Sequence, residues 1–304
     1  MERTEKAQDS IYRSADAEAD IFALYSDYLA RWPVPVTATD ITTRYGRVHV
    51  LISGPQDGRP VLLLHAASMA SISWLPNVTA LADAGFRTFA VDHIGEAGLS
   101  RLTDMATYPD TPQQIGTHYV EVADQLGIDA APVVAASAGG HAALRFALAA
   151  PERVLRLALL GPMGITPLSL TAMLRMMLAS LVPAEGVATR TSRWALGTDP
   201  AVVEGYGRWF ATVLRSVGSP PRVGRPVALS AEEMARTTCP VQLILGDRDK
   251  LVGDAARASE QASSFPDVRT ETFHSGHLVG VERADEVNAL IVPFLQDGTC
   301  LLYT

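Results

Sequence analysis

Short apolar runs alternate with helical segments along most of this chain, and that alternation limits the folds open to it. Residues 61–65, 86–91, 132–136, 154–160 and 241–245 are dominated by Val, Leu, Ile, Phe and Ala. A strand without regular apolar/polar alternation has no solvent-facing side, so such runs must be covered on both faces. Between them, residues 74–84, 112–126 and 138–149 read as helices, and a helix over 255–263, a strand over 268–273 and a helix over 285–295 follow. Strand and helix in turn predict an α/β fold, with a mostly parallel central sheet and helices on both faces.

Several stretches depart from that rhythm. Residues 1–31 begin charged and then carry Ile21, Phe22, Leu24, Tyr25, Tyr28 and Leu29 at helical spacing until Trp32-Pro33. This predicts an amphipathic helix packed on the core. Residues 39–44 and 48–53 alternate around Tyr45-Gly46 as a hairpin. Between Gly161 and Thr238, helical stretches rich in Leu, Met and Arg are broken by Gly186, Gly197, Gly205, Gly218 and the Pro220-Pro221 pair. An inserted helical cap is expected there. The expected organisation is an N-terminal helical extension over 1–38, a core over 39–162 and 238–304, and a cap over 163–237. A length of 304 residues suits one core with an insertion.

Composition removes several classes of partner. The formal charge is −8 and the basic residues are scattered, so there is no positive face for nucleic acid. No apolar run reaches the roughly 20 residues that span a bilayer, so no membrane span is expected. Cys239 and Cys300 match no metal or redox spacing, and the N-terminus lacks a basic start followed by an apolar stretch. A reduced, cytoplasmic location is expected.

The segment Val133-Val134-Ala135-Ala136-Ser137-Ala138-Gly139-Gly140-His141 runs an apolar strand straight into a helix through a serine flanked by very small residues. A serine on so sharp a turn is exposed as a nucleophile, and the crossing of strand and helix leaves little room at Ala135 and Gly139. The same residues also suit a hydroxyl N-cap or an anion site at a helix start. Two later segments favour the nucleophile. Leu243-Ile244-Leu245-Gly246-Asp247-Arg248-Asp249 ends a strand in two carboxylates, and Phe273-His274-Ser275-Gly276-His277 follows the last strand with two histidines. Serine, acid and histidine thus occur in the chain order of one family of nucleophile elbows.

The segments around His65, Asp92, Ser137, Asp249 and His277 resemble the α/β-hydrolase superfamily, in particular its capped carboxylesterase-like members, over roughly residues 40–296. In that pattern the acid sits three residues after the strand-end glycine, which implies Asp249 rather than Asp247. The histidine follows a glycine and precedes an acidic helix start, here Glu282, which implies His277 rather than His274. The resemblance also implies backbone N–H donors at Ala138 and Ala67 for an oxyanion, and a loop-organising role for His65. Ala66 stands where the family has glycine, so the loop either keeps φ negative there or carries strain. Asp92 to Ser100 resembles the Asp-x-x-Gly-x-Gly-x-Ser loop, a structural element in which Asp92 bonds backbone N–H groups. His93 lies at the same end of the sheet, within reach of a substrate.

Acyl transfer assigns the roles. His277 takes the Ser137 proton, Asp249 fixes the imidazole tautomer, and the histidine later protonates the leaving group. No metal and no cofactor are needed. The cap's Leu168, Leu170, Met173, Leu174, Met176, Met177, Leu181, Trp194, Tyr206, Trp209 and Phe210 mostly pack it onto the core, while a minority line an apolar pocket. Ala66, Met177 and Trp209 are the expected substrate contacts. Arg175, Arg190, Arg193 and Arg208 are expected on solvated cap surface. The reading is therefore a serine hydrolase cleaving a hydrophobic small-molecule ester or lactone. Thioester, amide or C–C hydrolysis, macrolactone formation, and a non-hydrolytic lyase or ligand-binding role are its competitors. A further competitor makes the N-terminal helix a partner-binding element. An apolar face on the cap or that helix is compatible with a homodimer.

Overall fold

The apolar runs become strands of a single sheet in the computed structural model of the chain, which describes residues 10–182, 184–197, 199–218 and 227–297. The strands are β1 Val36–Thr43, β2 Gly46–Ser53, β3 Arg59–Leu64, β4 Phe86–Val91, β5 Arg101–Leu102, β6 Ala131–Ala136, β7 Val154–Leu160, β8 Val241–Gly246 and β9 Val268–Phe273. Their spatial order is β1-β2-β4-β3-β6-β7-β8-β9, with β5 paired to β2. From β4 to β9 every neighbouring pair is parallel. Only the edge formed by β1, β2 and β5 is antiparallel. The hairpin pairs Thr43 with Gly46, so its turn falls at Arg44-Tyr45, one residue before the expected place.

The helices are α1 Ala15–Leu29, α2 Val78–Asp83, α3 Pro112–Gln125, α4 Ala138–Ala149, α5 Leu170–Leu181, α6 Glu185–Leu196, α7 Pro200–Ser216, α8 Ala231–Ala235, α9 Ala255–Ala262, α10 Val279–Glu282 and α11 Ala284–Gln296. The helix expected over 74–84 is shorter. Trp74 ends a 3₁₀ turn that starts at Ser71, and Pro76, which has no N–H to donate, separates that turn from α2. Helices α5 to α8 are the insertion between β7 and β8. Pro220, Pro221 and Cys300 lie outside the described residues.

Each central strand sends alternate side chains into two different cores, which is why its sequence reads as continuously apolar. Val61, Leu63, Ala90, Val134, Ala158 and Ile244 join one core with side chains of α1, α2, α7 and α11. Leu62, Leu64, Val91, Val133, Leu159 and Leu243 join the other with α3, α4 and α9. The N-terminal helix starts at Ser14, whose Oγ accepts the Ala17 N–H, and buries Ile21 and Tyr25. It packs on the insertion as well as the core. Tyr28 stacks on Tyr206 of α7, and Tyr25 and Tyr28 both meet the edge or face of Trp209. No described helix is long and apolar enough to cross a membrane.

Candidate active site

Three parallel strands deliver Ser137, Asp249 and His277 to one end of the sheet. β6 ends at Ala136 and α4 begins at Ala138, leaving Ser137 as the single residue of the turn, at φ 49° and ψ −114°. A non-glycine residue in that region costs on the order of 1–3 kcal/mol and is held only by its surroundings. The Ser137 N–H bonds Leu160 O of β7, and its carbonyl accepts from Gly140 and Met163. Two residues on, a Cβ at Gly139 would stand 2.1 Å from Leu64 O. The start of α4 therefore passes against the end of β3 with room for glycine only, and Gly139 N–H donates to His65 O at 3.1 Å.

The three side chains form one buried relay. Ser137 Oγ lies 2.8 Å from His277 Nε2, and His277 Nδ1 lies 2.7 Å from Asp249 Oδ2. With Nδ1–H held by the carboxylate, Nε2 presents its lone pair to the serine hydroxyl. Asp249 Oδ1 accepts the N–H groups of Leu251 and Val252 at 2.8 and 3.1 Å. Burial acts to raise the Asp249 pKa, but the imidazole and the two N–H groups outweigh it and hold the carboxyl below its usual value. Asp247 and His274 are drawn away from this relay. They pair with each other at 2.9 Å on the exposed surface.

The loop after β3 lies beside the serine. Ala66 and Ala67 keep negative φ, and the left-handed conformations fall at Ser68 (φ 62°) and Ala70 (φ 59°). The Met69 N–H bonds Ala66 O at 3.1 Å, closing a turn whose third residue is Ser68, a position where positive φ usually calls for glycine. Among the described residues the backbone N–H groups of Ala67 and Ala138 have no hydrogen-bond acceptor. His65 organises the loop base. Its Nδ1 bonds Ala66 O at 2.8 Å and its Nε2 accepts the His93 N–H at 2.9 Å. Burial lowers its pKa to about 4, so it is neutral. His93 is turned inward as well, bonding His65 O and the Tyr119 hydroxyl. Asp92 accepts the Ser71 and Leu99 N–H groups, each at 2.8 Å.

Residues 61–290 match the profile of the Alpha/beta hydrolase family. The chain belongs to that family. This hydrolase is 31% identical over 297 residues to the Bacillus subtilis (strain 168) "Uncharacterized carboxylesterase nap", covering 95% of this chain and 97% of the relative. It is 28% identical to "Carboxylesterase YbfK" of the same organism, covering 96% and 99% of the two chains. The crystal structure of naproxen esterase (carboxylesterase NP) from Bacillus subtilis superposes with a TM-score of 0.83 at 28% identity, covering 93% of this chain and 99% of that one.

In this alpha/beta hydrolase a cavity of about 390 Å³ opens above the relay. Ser137, His277, Ala66, Ala67 and Ser68 form one side, and Met173, Met176, Met177, Leu181, Phe210 and Leu214 of the inserted helices form the other. The lining is overwhelmingly apolar, as burial of a hydrophobic group requires. A second cavity of about 20 Å³ also reaches Ser137 and His277, bounded by Trp74, Asn77 and Leu160. Of the expected pocket residues, Ala66 and Met177 line the large cavity. Trp209 does not. It is fully buried against α1, with its indole N–H on Ser68 O at 2.8 Å, and its neighbour Phe210 faces the cavity instead. Arg175 lies over the Trp194 ring at 4.5 Å. Sequence reasoning passed over Glu96, whose Oε2 accepts the Ser68 N–H at 2.7 Å. The signal was its place in the Asp92–Ser100 loop, which carries one more residue between its glycines than the Asp-x-x-Gly-x-Gly-x-Ser pattern.

Proposed function

We propose that the enzyme hydrolyses carboxylic esters, lactones included, that carry a hydrophobic group, through an acyl-enzyme on Ser137. The observation that carries this reading is the Asp249–His277–Ser137 relay at the floor of the large apolar cavity. His277 Nε2 accepts the Ser137 proton as Oγ attacks the carbonyl carbon, and Asp249 stabilises the imidazolium that forms. The tetrahedral oxygen is received by the N–H groups of Ala138 and Ala67, which have no other acceptor among the described residues. His277 then protonates the departing alcohol, and water repeats the sequence on the acyl-enzyme. The two relatives named as carboxylesterases support ester chemistry, and the apolar lining supports a hydrophobic substituent on the substrate.

An alkyl fluorophosphonate tests the nucleophile directly. One equivalent should attach to Ser137, located by peptide mass spectrometry, and none to Ser137→Ala. Attachment to another residue would contradict the assignment. The same reading includes a homodimer, supported by the exposed Leu170, Leu174, Leu178 and Leu181 on α5, and sedimentation that gives only monomer at micromolar concentration would remove it. It also includes a cytoplasmic location, supported by the buried Cys239 thiol, which has no disulfide partner among the described residues, and tested by cell fractionation.

A further inference from the structure

The turn that presents Ala67 is strained at Ser68 and Ala70, and strained backbone persists only where neighbouring groups over-determine it. Ser68 is held at both of its backbone polar atoms, by side chains from separate parts of the fold. Its N–H donates to Glu96 Oε2 at 2.7 Å, and its carbonyl accepts the Trp209 indole N–H at 2.8 Å. Glu96 comes from the loop after β4, and Trp209 from α7. Glu96 is 3% exposed and Trp209 is fully buried.

A carboxyl group is a costly choice for so enclosed a place, and burial pushes its pKa up to about 7. Trp209 is equally specific in what it offers, since an indole has a single donor and it is spent on this one carbonyl.

We propose that Glu96 and Trp209 are positioning residues: holding Ser68 by its N–H and by its carbonyl, they fix the turn next to Ala67 so that the Ala67 N–H is aimed at the oxyanion before substrate arrives. This inference rests on the esterase reading and on Ala67 as the second donor. Neither side chain is among those that line the large cavity, so neither contributes contact to the ground-state substrate there. Donors aimed at developing charge act on the transition state, so loosening the turn lowers kcat and leaves KM nearly unchanged. The clamp also ties this loop to the substrate pocket. Phe210 and Leu214, on the helix that carries Trp209, line the cavity.

The test uses the full chain and three variants, Glu96→Leu, Glu96→Gln and Trp209→Phe, each checked by thermal melting and assayed on a p-nitrophenyl ester. Glu96→Leu and Trp209→Phe are expected to lower kcat about 10- to 100-fold, with KM within about threefold of wild type. An alkyl boronic acid, which mimics the tetrahedral state, should bind more weakly by a similar factor. Glu96→Gln should keep most of kcat, because its amide oxygen can still accept the Ser68 N–H. If one of the two disruptive variants fails to fold, the other decides. Unchanged kcat in a folded disruptive variant, a change confined to KM, or a Gln variant as impaired as the Leu variant would each overturn the inference. Wild-type turnover abolished by Ser137→Ala establishes the esterase reading separately. No turnover in the wild type would overturn that reading, and this inference with it.

Discussion

Single residues divide into those whose spacing carries their role and those whose role depends on a distant partner. Ser137, Asp249 and His277 belong to the first group, because each lies within four residues of the end of a strand, an apolar run for Ser137 and Asp249 and the alternating Val268–Phe273 for His277. The choice of Asp249 over Asp247 rested on the distance from Gly246, and the hydrogen bonds to Leu251 and Val252 give that distance a physical meaning. Glu96 belongs to the second group, since its partner Ser68 lies 28 residues away. Glu96 also makes a pH prediction. Its folded pKa of about 7 lies above the 4.5 of a free glutamate, so between those values this side chain is more protonated in the folded chain than in the unfolded one. The stability that Glu96 contributes therefore falls as pH rises from about 4.5 to 7. Buried Asp92 adds to the upward shift, and His93, His118, Tyr119 and His141 share the cavity behind the loop with Glu96. Burial lowers the pKa of His65, His93, His118 and His141, and these add stability as pH rises, so the Glu96 contribution is read as a difference: the melting temperature of wild type relative to Glu96→Gln should fall across that window, and parallel curves would contradict the assignment. Asp249 has the opposite sign, with a depressed pKa whose stabilisation is lost only as pH falls through it in acid.

At the level of elements, the central strands were legible because burial on both faces leaves an unbroken apolar run. Helix α2 was overextended because apolar residues on both sides of Pro76 share a helical spacing that the missing N–H interrupts. The inserted helices were harder to orient. Trp209 and Phe210 are adjacent and both apolar, and only the packing of α1 decides that the first faces inward and the second faces the cavity. That packing gives α1 a structural task, whereas a purely partner-binding helix would leave the fold untouched by its loss. Tyr28 stacks on Tyr206 and donates to Gly205 O, and it is almost wholly buried. Tyr28→Ala is expected to cost about 3 kcal/mol of stability in urea unfolding. A loss below about 0.5 kcal/mol would show that α1 is a loosely attached appendage.

For the whole molecule, the sheet collects chemistry at its carboxyl edge while the helices between β7 and β8 roof it with Met, Leu and Phe side chains. The α/β class and the relay could be read from the chain because the strand–helix alternation is a local pattern and the serine, acid and histidine each sit beside a strand end in a fixed chain order. The shape of the cavity could not, since it arises where segments far apart in the chain meet and most of their lining residues are apolar for packing as well as for binding. A cavity of about 390 Å³ lies within the size range of sites for small organic ligands. The most direct test is hydrolysis of p-nitrophenyl esters of increasing acyl length, at neutral pH with chelator present, by wild type and Ser137→Ala. The account predicts metal-independent turnover by the wild type, favouring acyl groups larger than acetyl, and a fall of on the order of 10⁴ to 10⁶ in the variant. Undiminished turnover in Ser137→Ala would contradict it.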